Sequence, residues 1–120
     1  MIRTRGLSHV ELRVAGPDDV ERAVRFYGDV FGFEVVARSP DGALLQVPGG
    51  GSSIVVERSD PDGRQVEVTH FGLVLSDPHE LDAAVHLALA HGGTLVTRTD
   101  HALGGSTAVL TDPAGHHLTL

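Results

Sequence analysis

Two histidines stand at matching points in two apolar stretches of the chain. His9 lies within "GLSHVELRV" (residues 6–14), and His70 lies within "EVTHFGLVL" (residues 67–75). Neutral imidazole is the commonest side-chain ligand for metals in proteins. Two imidazoles and one carboxylate from separate strands suit Fe, Mn, Ni or Zn and leave coordination positions open for a substrate. The pattern therefore raises the hypothesis of one metal ion held by two strands.

The sequence around these histidines indicates an internal repeat. In each half a strand pattern is followed by a turn and a helix start, "AGPDDVERAVRFYGDVFGF" and then "SDPHELDAAVHLALAHGGT". Acidic residues near both helix starts favour the positive end of the helix dipole, and glycines at 32 and 93 predict helix ends. When His9 is aligned with His70, the further matching pairs are Val10 and Phe71, Leu12 and Leu73, Val24 and Val85, Gly32 and Gly93, and Val35 and Val96.

The repeat predicts an α+β fold made of two strand–helix–strand–strand–strand units. We expect one domain over residues 1–120, built from a first module at 6–60 and a second at 65–120. Towards the end of each unit the alignment of the two repeats shifts by one residue and aligns Glu57 with Thr119. The predicted strands are 7–14, 33–39, 43–47, 53–58, 66–75, 94–97, 106–111 and 116–120.

Alternation along these strands separates an apolar face from a polar one, because successive strand side chains point to opposite sides. The apolar sets can pack on the helix of each unit. The polar face has two interpretations: it faces solvent, as in many antiparallel sheets, or the sheet curls and this face lines a cavity. The residues on the polar face are His9, Glu11, Arg13, Glu57, His70, His117 and Thr119.

Composition restricts the function classes. The 120 residues carry a formal net charge of −7 with only nine Lys and Arg, which argues against nucleic acid as a partner. There is no cysteine, so the chain has neither disulfides nor thiolate metal ligands. No apolar run is long enough to span a membrane, and the N-terminus does not read as a signal peptide. We therefore expect a cytoplasmic protein whose partner is a small molecule.

The motifs together resemble the vicinal oxygen chelate superfamily. They are "LSHVELRV", "AVRFYGDVFGFEVV", "THFGLVL", "HGGTLV" and "TDPAGHHLTL", and they cover nearly the whole chain. The superfamily includes glyoxalase I, extradiol dioxygenases, epimerases, fosfomycin-resistance enzymes and bleomycin-resistance proteins. The resemblance implies the glyoxalase/bleomycin resistance/dihydroxybiphenyl dioxygenase fold, in which two βαβββ modules form a curled mixed sheet around a cavity. It also implies a homodimer.

The resemblance assigns roles to the residues on the polar face. The family's metal-ligand positions fall on His9, Glu57 and His70, which would hold a divalent ion (Fe, Mn, Ni or Zn). The fourth position, often Glu in the family, is Thr119 in this sequence. Glu57 is the expected catalytic carboxylate. The expected substrate-binding residues are Glu11, Arg13 (for an anionic group), His117 and Thr119.

Three functions remain open at this level. The first is a metal-dependent, glyoxalase-like lyase or isomerase, in which the metal stabilises an enediolate of a small oxygen-chelating substrate and Glu57 moves the proton. The second is an extradiol-type ring-cleaving dioxygenase, which the missing carboxylate at Thr119 disfavours. The third is a metal-free binding protein of the bleomycin-resistance kind, which fits Thr119 but offers few aromatic side chains for stacking a flat ligand.

Overall fold

The structure, a computed structural model, describes residues 9–59 and 70–120. Its order of elements repeats once, and this agrees with the repeat in the sequence. The predicted strand residues 7–8 and 66–69 lie outside the described residues. The first half contains β1 (His9–Val14), α1 (Pro17–Phe31), β2 (Glu34–Ser39), β3 (Gly42–Gln46) and β4 (Ser53–Arg58). The second half contains β5 (His70–Gly72), a 3₁₀ turn (Pro78–Glu80), α2 (Leu81–Ala90), β6 (Thr94–Asp100), β7 (Ser106–Thr111) and β8 (His117–Thr119).

Each half folds into its own four-stranded mixed sheet, in the order β1-β4-β3-β2 and β5-β8-β7-β6. The pairs β1–β4 and β5–β8 are parallel, and the remaining pairs are antiparallel. The α+β class and the two-module architecture are therefore confirmed. The sequence predicted one curled sheet, and the structure corrects this prediction. Within the described residues the two sheets are separate and not closed, because β1 and β5 each pair only inside their own module.

The first helix begins and ends where the sequence places it. Pro17 opens α1, and the carboxylate of Asp19 accepts a hydrogen bond from the Gly16 backbone N–H at 3.1 Å. Gly32 takes the left-handed conformation (φ 72°) that ends many helices. In the part of the chain that the structure covers, neither helix is long and apolar enough to cross a membrane.

The second helix ends earlier than the sequence suggests. It stops at Ala90, and Gly92, not Gly93, takes a positive φ of 90°. Gly93 meets a different requirement, a close approach of backbone. A Cβ at this position would lie 2.9 Å from the carbonyl oxygens of Ala88 and Thr111 and 3.0 Å from the ring of Phe26. Glycine is thus required at 93 for packing rather than for helix termination.

The two modules share one hydrophobic core. The buried residues of β1, β3 and β4 and those of β7 and β8 all belong to it, with both helices packed on the same side. Tyr27 of α1 joins the halves, since its buried ring lies 6.3 Å from that of Phe71 in β5. The opposite, helix-free faces of both sheets remain open, and these faces carry the residues predicted to do chemistry.

Candidate superfamily binding site

Arg13 is the centre of the polar group on the first sheet. Its guanidinium lies 2.6 Å from Glu11 Oε1 and 3.3 Å from Glu57 Oε2. Strand pairing explains the contact with Glu57, because Arg13 in β1 stands directly opposite Glu57 in β4. All three side chains are partly exposed, between 29% and 46%. Arg13, which the resemblance assigns to an anionic substrate group, is therefore paired with two carboxylates.

His70 and Thr119 form the corresponding polar contact on the second sheet. The imidazole Nε2 of His70 is hydrogen-bonded to the hydroxyl of Thr119. The two residues lie on neighbouring parallel strands, with His70 opposite His117 and Gly72 opposite Thr119. His70 and His117 are exposed, and Thr119 is partly buried. Three of the predicted site residues are therefore brought together at this end of the second sheet.

Strand pairing corrects the repeat alignment of the last strands. In the second module Thr119 stands opposite the residue two positions after His70. In the first module the residue two positions after His9 is Glu11, and its partner is Val55. The structural match of Thr119 is therefore Val55, not Glu57. Val55 has no atom that can bind a metal, so neither module has a carboxylate at this matching position.

The proposed three-residue metal site is not assembled by this geometry. His9 stands opposite Ser53, so Glu57 lies four residues further along β4. Four residues of strand span about 13 Å, whereas the ligand atoms of one ion lie within roughly 2.3 Å of it. The carboxylate of Glu57 is instead paired with Arg13. In the described stretches 9–59 and 70–120, no group of three His, Asp or Glu side chains is arranged to hold a metal ion.

His9 and Glu57 line two different depressions of the surface. A crevice of about 310 Å³ lies between the modules, and its lining includes His9, Ser53, Phe71 and Gly72. A wider cleft of about 390 Å³ lies over β2, β3 and β4, and its lining includes Glu57. His9 therefore approaches the end of β5 and Glu57 does not. Both volumes are large enough for part of a small organic ligand.

The structure also contains a polar group that the sequence interpretation missed. The carboxylate of Asp112, the one buried charged group among the described residues, accepts hydrogen bonds from the Tyr27 hydroxyl at 2.8 Å and from two backbone N–H groups. Burial, reinforced by Asp112, raises the pKa of Tyr27 well above its usual range. The ring of His116 lies 2.8 Å from the same carboxylate. The available signal was the "DPAGHH" turn, since an Asp before Pro often holds turn N–H groups.

A match to a family model shows which superfamily the chain belongs to. The model of the glyoxalase/bleomycin resistance protein/dioxygenase superfamily matches residues 6–120. The chain belongs to this superfamily. Among curated superfamily proteins, a catechol-2,3-dioxygenase from Bacillus subtilis (strain 168) is 27% identical over 106 residues, which are 84% of this chain and 36% of the dioxygenase. The chain thus spans about a third of the length of that relative.

Solved structures of other proteins share the fold. A glyoxalase-related enzyme from Fulvimarina pelagi has a TM-score of 0.76 at 22% identity, over 97% of this chain and 86% of the other. A lactoylglutathione lyase from Agrobacterium tumefaciens has a TM-score of 0.73 at 22% identity, over 97% of this chain and 92% of the lyase. A third structure is a fosfomycin resistance protein from Listeria monocytogenes, complexed with Mn(II) and 1S,2S-dihydroxypropylphosphonic acid. It has a TM-score of 0.72 at 20% identity, over 98% of this chain and 90% of the other. The TM-scores support a shared fold, and identities of 20–22% support nothing beyond that fold.

Proposed function

We propose that this superfamily member binds a small organic molecule on the helix-free faces of its two sheets, without a three-ligand metal centre. One observation carries the proposal: the matched positions in β4 and β8 hold Val55 and Thr119, neither of which is a carboxylate. Valine offers no donor atom, and the neutral hydroxyl of threonine already bonds His70. Two imidazoles without an anionic ligand do not complete the two-histidine, one-carboxylate set.

The charges of the site favour a neutral or cationic ligand. Glu11 and Glu57 flank the single guanidinium of Arg13, so this group carries one excess negative charge. The net charge of the whole chain, −7, adds a field of the same sign. On the second sheet, His70 and Thr119 offer hydrogen-bonding atoms and no carboxylate. We infer that the ligand carries an amine or hydroxyl group that contacts a carboxylate beside Arg13.

A metal-dependent lyase or isomerase of the glyoxalase kind is the second candidate. Its support is that His9 and His70 occupy matched positions, each on a strand that pairs in parallel with the last strand of its module. A ring-cleaving dioxygenase is the third, supported by the 27% identity to the catechol-2,3-dioxygenase. Both need further ligands for Fe, Mn, Ni or Zn beyond the two imidazoles.

Metal analysis of the purified protein separates these candidates. We expect well under one transition-metal ion per chain by mass spectrometry, and the same value in His70→Ala and His79→Ala. His79 is the matched control because it is an exposed histidine in the 3₁₀ turn before α2, away from the strand faces. One ion per chain that is lost in His70→Ala and retained in His79→Ala would overturn the metal-free proposal in favour of the enzyme candidates.

A ligand panel tests the inferred charge preference. Basic natural products, uncharged catechols and anionic glutathione thioesters represent the three charge classes. We expect the basic or neutral compounds to raise the thermal midpoint, and Glu57→Gln to weaken the effect of the basic ones. Asp82→Asn, which removes a carboxylate of α2 that pairs with Arg98 and does not line the cleft of Glu57, is the control. Stabilisation by the anionic class alone would contradict the inference.

A further inference from the structure

His116 lies in the turn between β7 and β8, and its ring touches both modules. Its Nδ1 is 2.8 Å from Asp112 Oδ2 in the second module. Its Nε2 is 2.8 Å from the backbone carbonyl oxygen of Arg13, in β1 of the first module. The side chain is 13% exposed. One imidazole therefore joins elements that are 103 residues apart in sequence.

The partners of this ring fix where its protons are. A backbone carbonyl can only accept, so Nε2 must carry a hydrogen. Asp112 already accepts from the Tyr27 hydroxyl and from the backbone N–H groups of Ala114 and His116. Donation from Nδ1 completes this set of contacts, and a ring that donates from both nitrogens is the imidazolium. In agreement, the hydrogen bond with Asp112 raises the pKa of His116 above its ordinary 6.5 against the opposing effect of burial.

The two ends of this contact lie beside the two polar groups of the ligand surface. The Arg13 carbonyl belongs to the residue whose side chain pairs with Glu11 and Glu57. The residue after His116 is His117, which starts β8 opposite His70. Because the sheets are not hydrogen-bonded to each other in the described chain, a contact here limits how far the two polar groups can move apart.

We propose that His116 is a positioning residue, which holds the Arg13 group of the first sheet at a fixed place relative to the His70–Thr119 pair of the second. The inference rests on the proposed function, since it takes these two groups as the halves of one ligand surface. Asn in place of His116 offers one short amide, which cannot reach both Asp112 and the Arg13 carbonyl. His116→Asn therefore removes the contact between the Arg13 carbonyl and the β7–β8 turn and keeps a polar side chain there, while the Tyr27–Asp112 hydrogen bond and the shared core still join the modules.

NMR on the labelled protein tests the link without any ligand. Residual dipolar couplings of the Arg13 and Thr119 amides should fit the alignment tensor of the shared core in the wild type, and in His116→Asn they should depart from it. The Hε of Arg13, whose Nε is buried, should exchange with solvent about tenfold faster in the variant. His101→Asn is the control, because His101 is exposed and bonds only the neighbouring Thr107.

A pH series on the wild type supplies a second measurement that does not depend on the variant folding. The Arg13 and Thr119 couplings should fit the core tensor below the titration of the His116 ring and depart from it above. Arg13 and Thr119 couplings that fit the core tensor across the whole series, together with unchanged Arg13 exchange in His116→Asn, would overturn the positioning role. That result would contradict the role of His116 but not the proposed ligand surface. A content of one metal ion per chain would contradict the proposed function but not the contacts of His116.

Discussion

Val55 in β4 and Thr119 in β8 occupy matching positions in the two modules, each opposite the residue two places after a histidine. Neither residue carries a charge, so the two matched imidazoles have no carboxylate beside them at these positions. Restoring a carboxylate at one of these positions should therefore show whether the fold still supports a metal site.

Thr119→Glu should create metal affinity. The new carboxylate would lie beside the His70 imidazole, which at present bonds the Thr119 hydroxyl. Mn(II), Ni(II) or Zn(II) should raise the melting temperature of this variant by about 4 °C, the effect of about 1 kcal/mol of binding free energy. Chelator should reverse the gain, and the wild type should show none.

Thr107→Glu is the matched control for that change. Thr107 also bonds a histidine, His101, at 3.2 Å, but His101 has no matched histidine in the other module. If both variants gain equally, then a carboxylate beside any histidine is enough and the strand pair has no special role. If Thr119→Glu does not respond to metal at all, His9 and His70 do not face a common site.

Glu57→Gln should change stability very little. Glu57 and Arg13 are 46% and 29% exposed, and Glu11 still pairs with Arg13 after the change. Exposed ion pairs contribute about 0.2–1 kcal/mol, so urea unfolding should give a loss within that range. A loss of several kcal/mol would show that this charge group stabilises the fold rather than serving a ligand.

The stability of the protein should fall as the pH rises through the titration of His116. A group whose pKa is higher in the folded protein than in the unfolded chain stabilises the fold fully below the unfolded pKa. That contribution disappears as the pH rises from about 6.5 through the raised folded pKa of His116. The difference in unfolding free energy between wild type and His116→Asn should therefore shrink with pH. A difference that is constant from pH 5 to pH 9 would contradict the charged ring.

Gly93→Ala should destabilise the protein by about 1–3 kcal/mol, the usual range for overpacking. The added Cβ would contact two carbonyl oxygens at 2.9 Å and the Phe26 ring at 3.0 Å. Gly28→Ala is the control, since its nearest contact is an ordinary 3.6 Å and alanine favours a helix interior. Urea unfolding should show a loss for the first variant and no loss for the second. Equal midpoints would mean that the backbone at Gly93 yields.

We predict a homodimer. The outer strands β2 and β6 are exposed along their length and carry an apolar pair at each β-bulge, Val35 and Val36 in one and Leu95 and Val96 in the other. Exposed apolar edges tend to be covered by another chain. Light scattering should give twice the chain mass at micromolar concentration. Val36→Lys combined with Val96→Lys should dissociate the dimer, and Leu103→Lys, at an exposed loop position, should not.

Sequence periodicity predicted the elements better than their register. The order of helices and strands and the polar faces followed from alternation and from the repeat. The partner of Thr119 did not, because a two-residue slip leaves every side chain on the same face and only a one-residue slip reverses them. Glu57 and Val55 were therefore equivalent by pattern, and strand pairing was needed to separate them. The contacts of His116 join residues far apart in the chain, and no local pattern encodes such contacts.

The ring of Tyr27 has a practical consequence for optical work on this protein. It packs within 6.4 Å, centroid to centroid, of Phe26, Phe31, Phe33 and Phe71, and its hydroxyl bonds the carboxylate of Asp112. The chain has one tyrosine and no tryptophan. Under excitation at wavelengths too long for phenylalanine, intrinsic emission from these 120 residues therefore comes from one ring at the junction of the modules. Its intensity and lifetime should change when the two halves separate, and no label is needed.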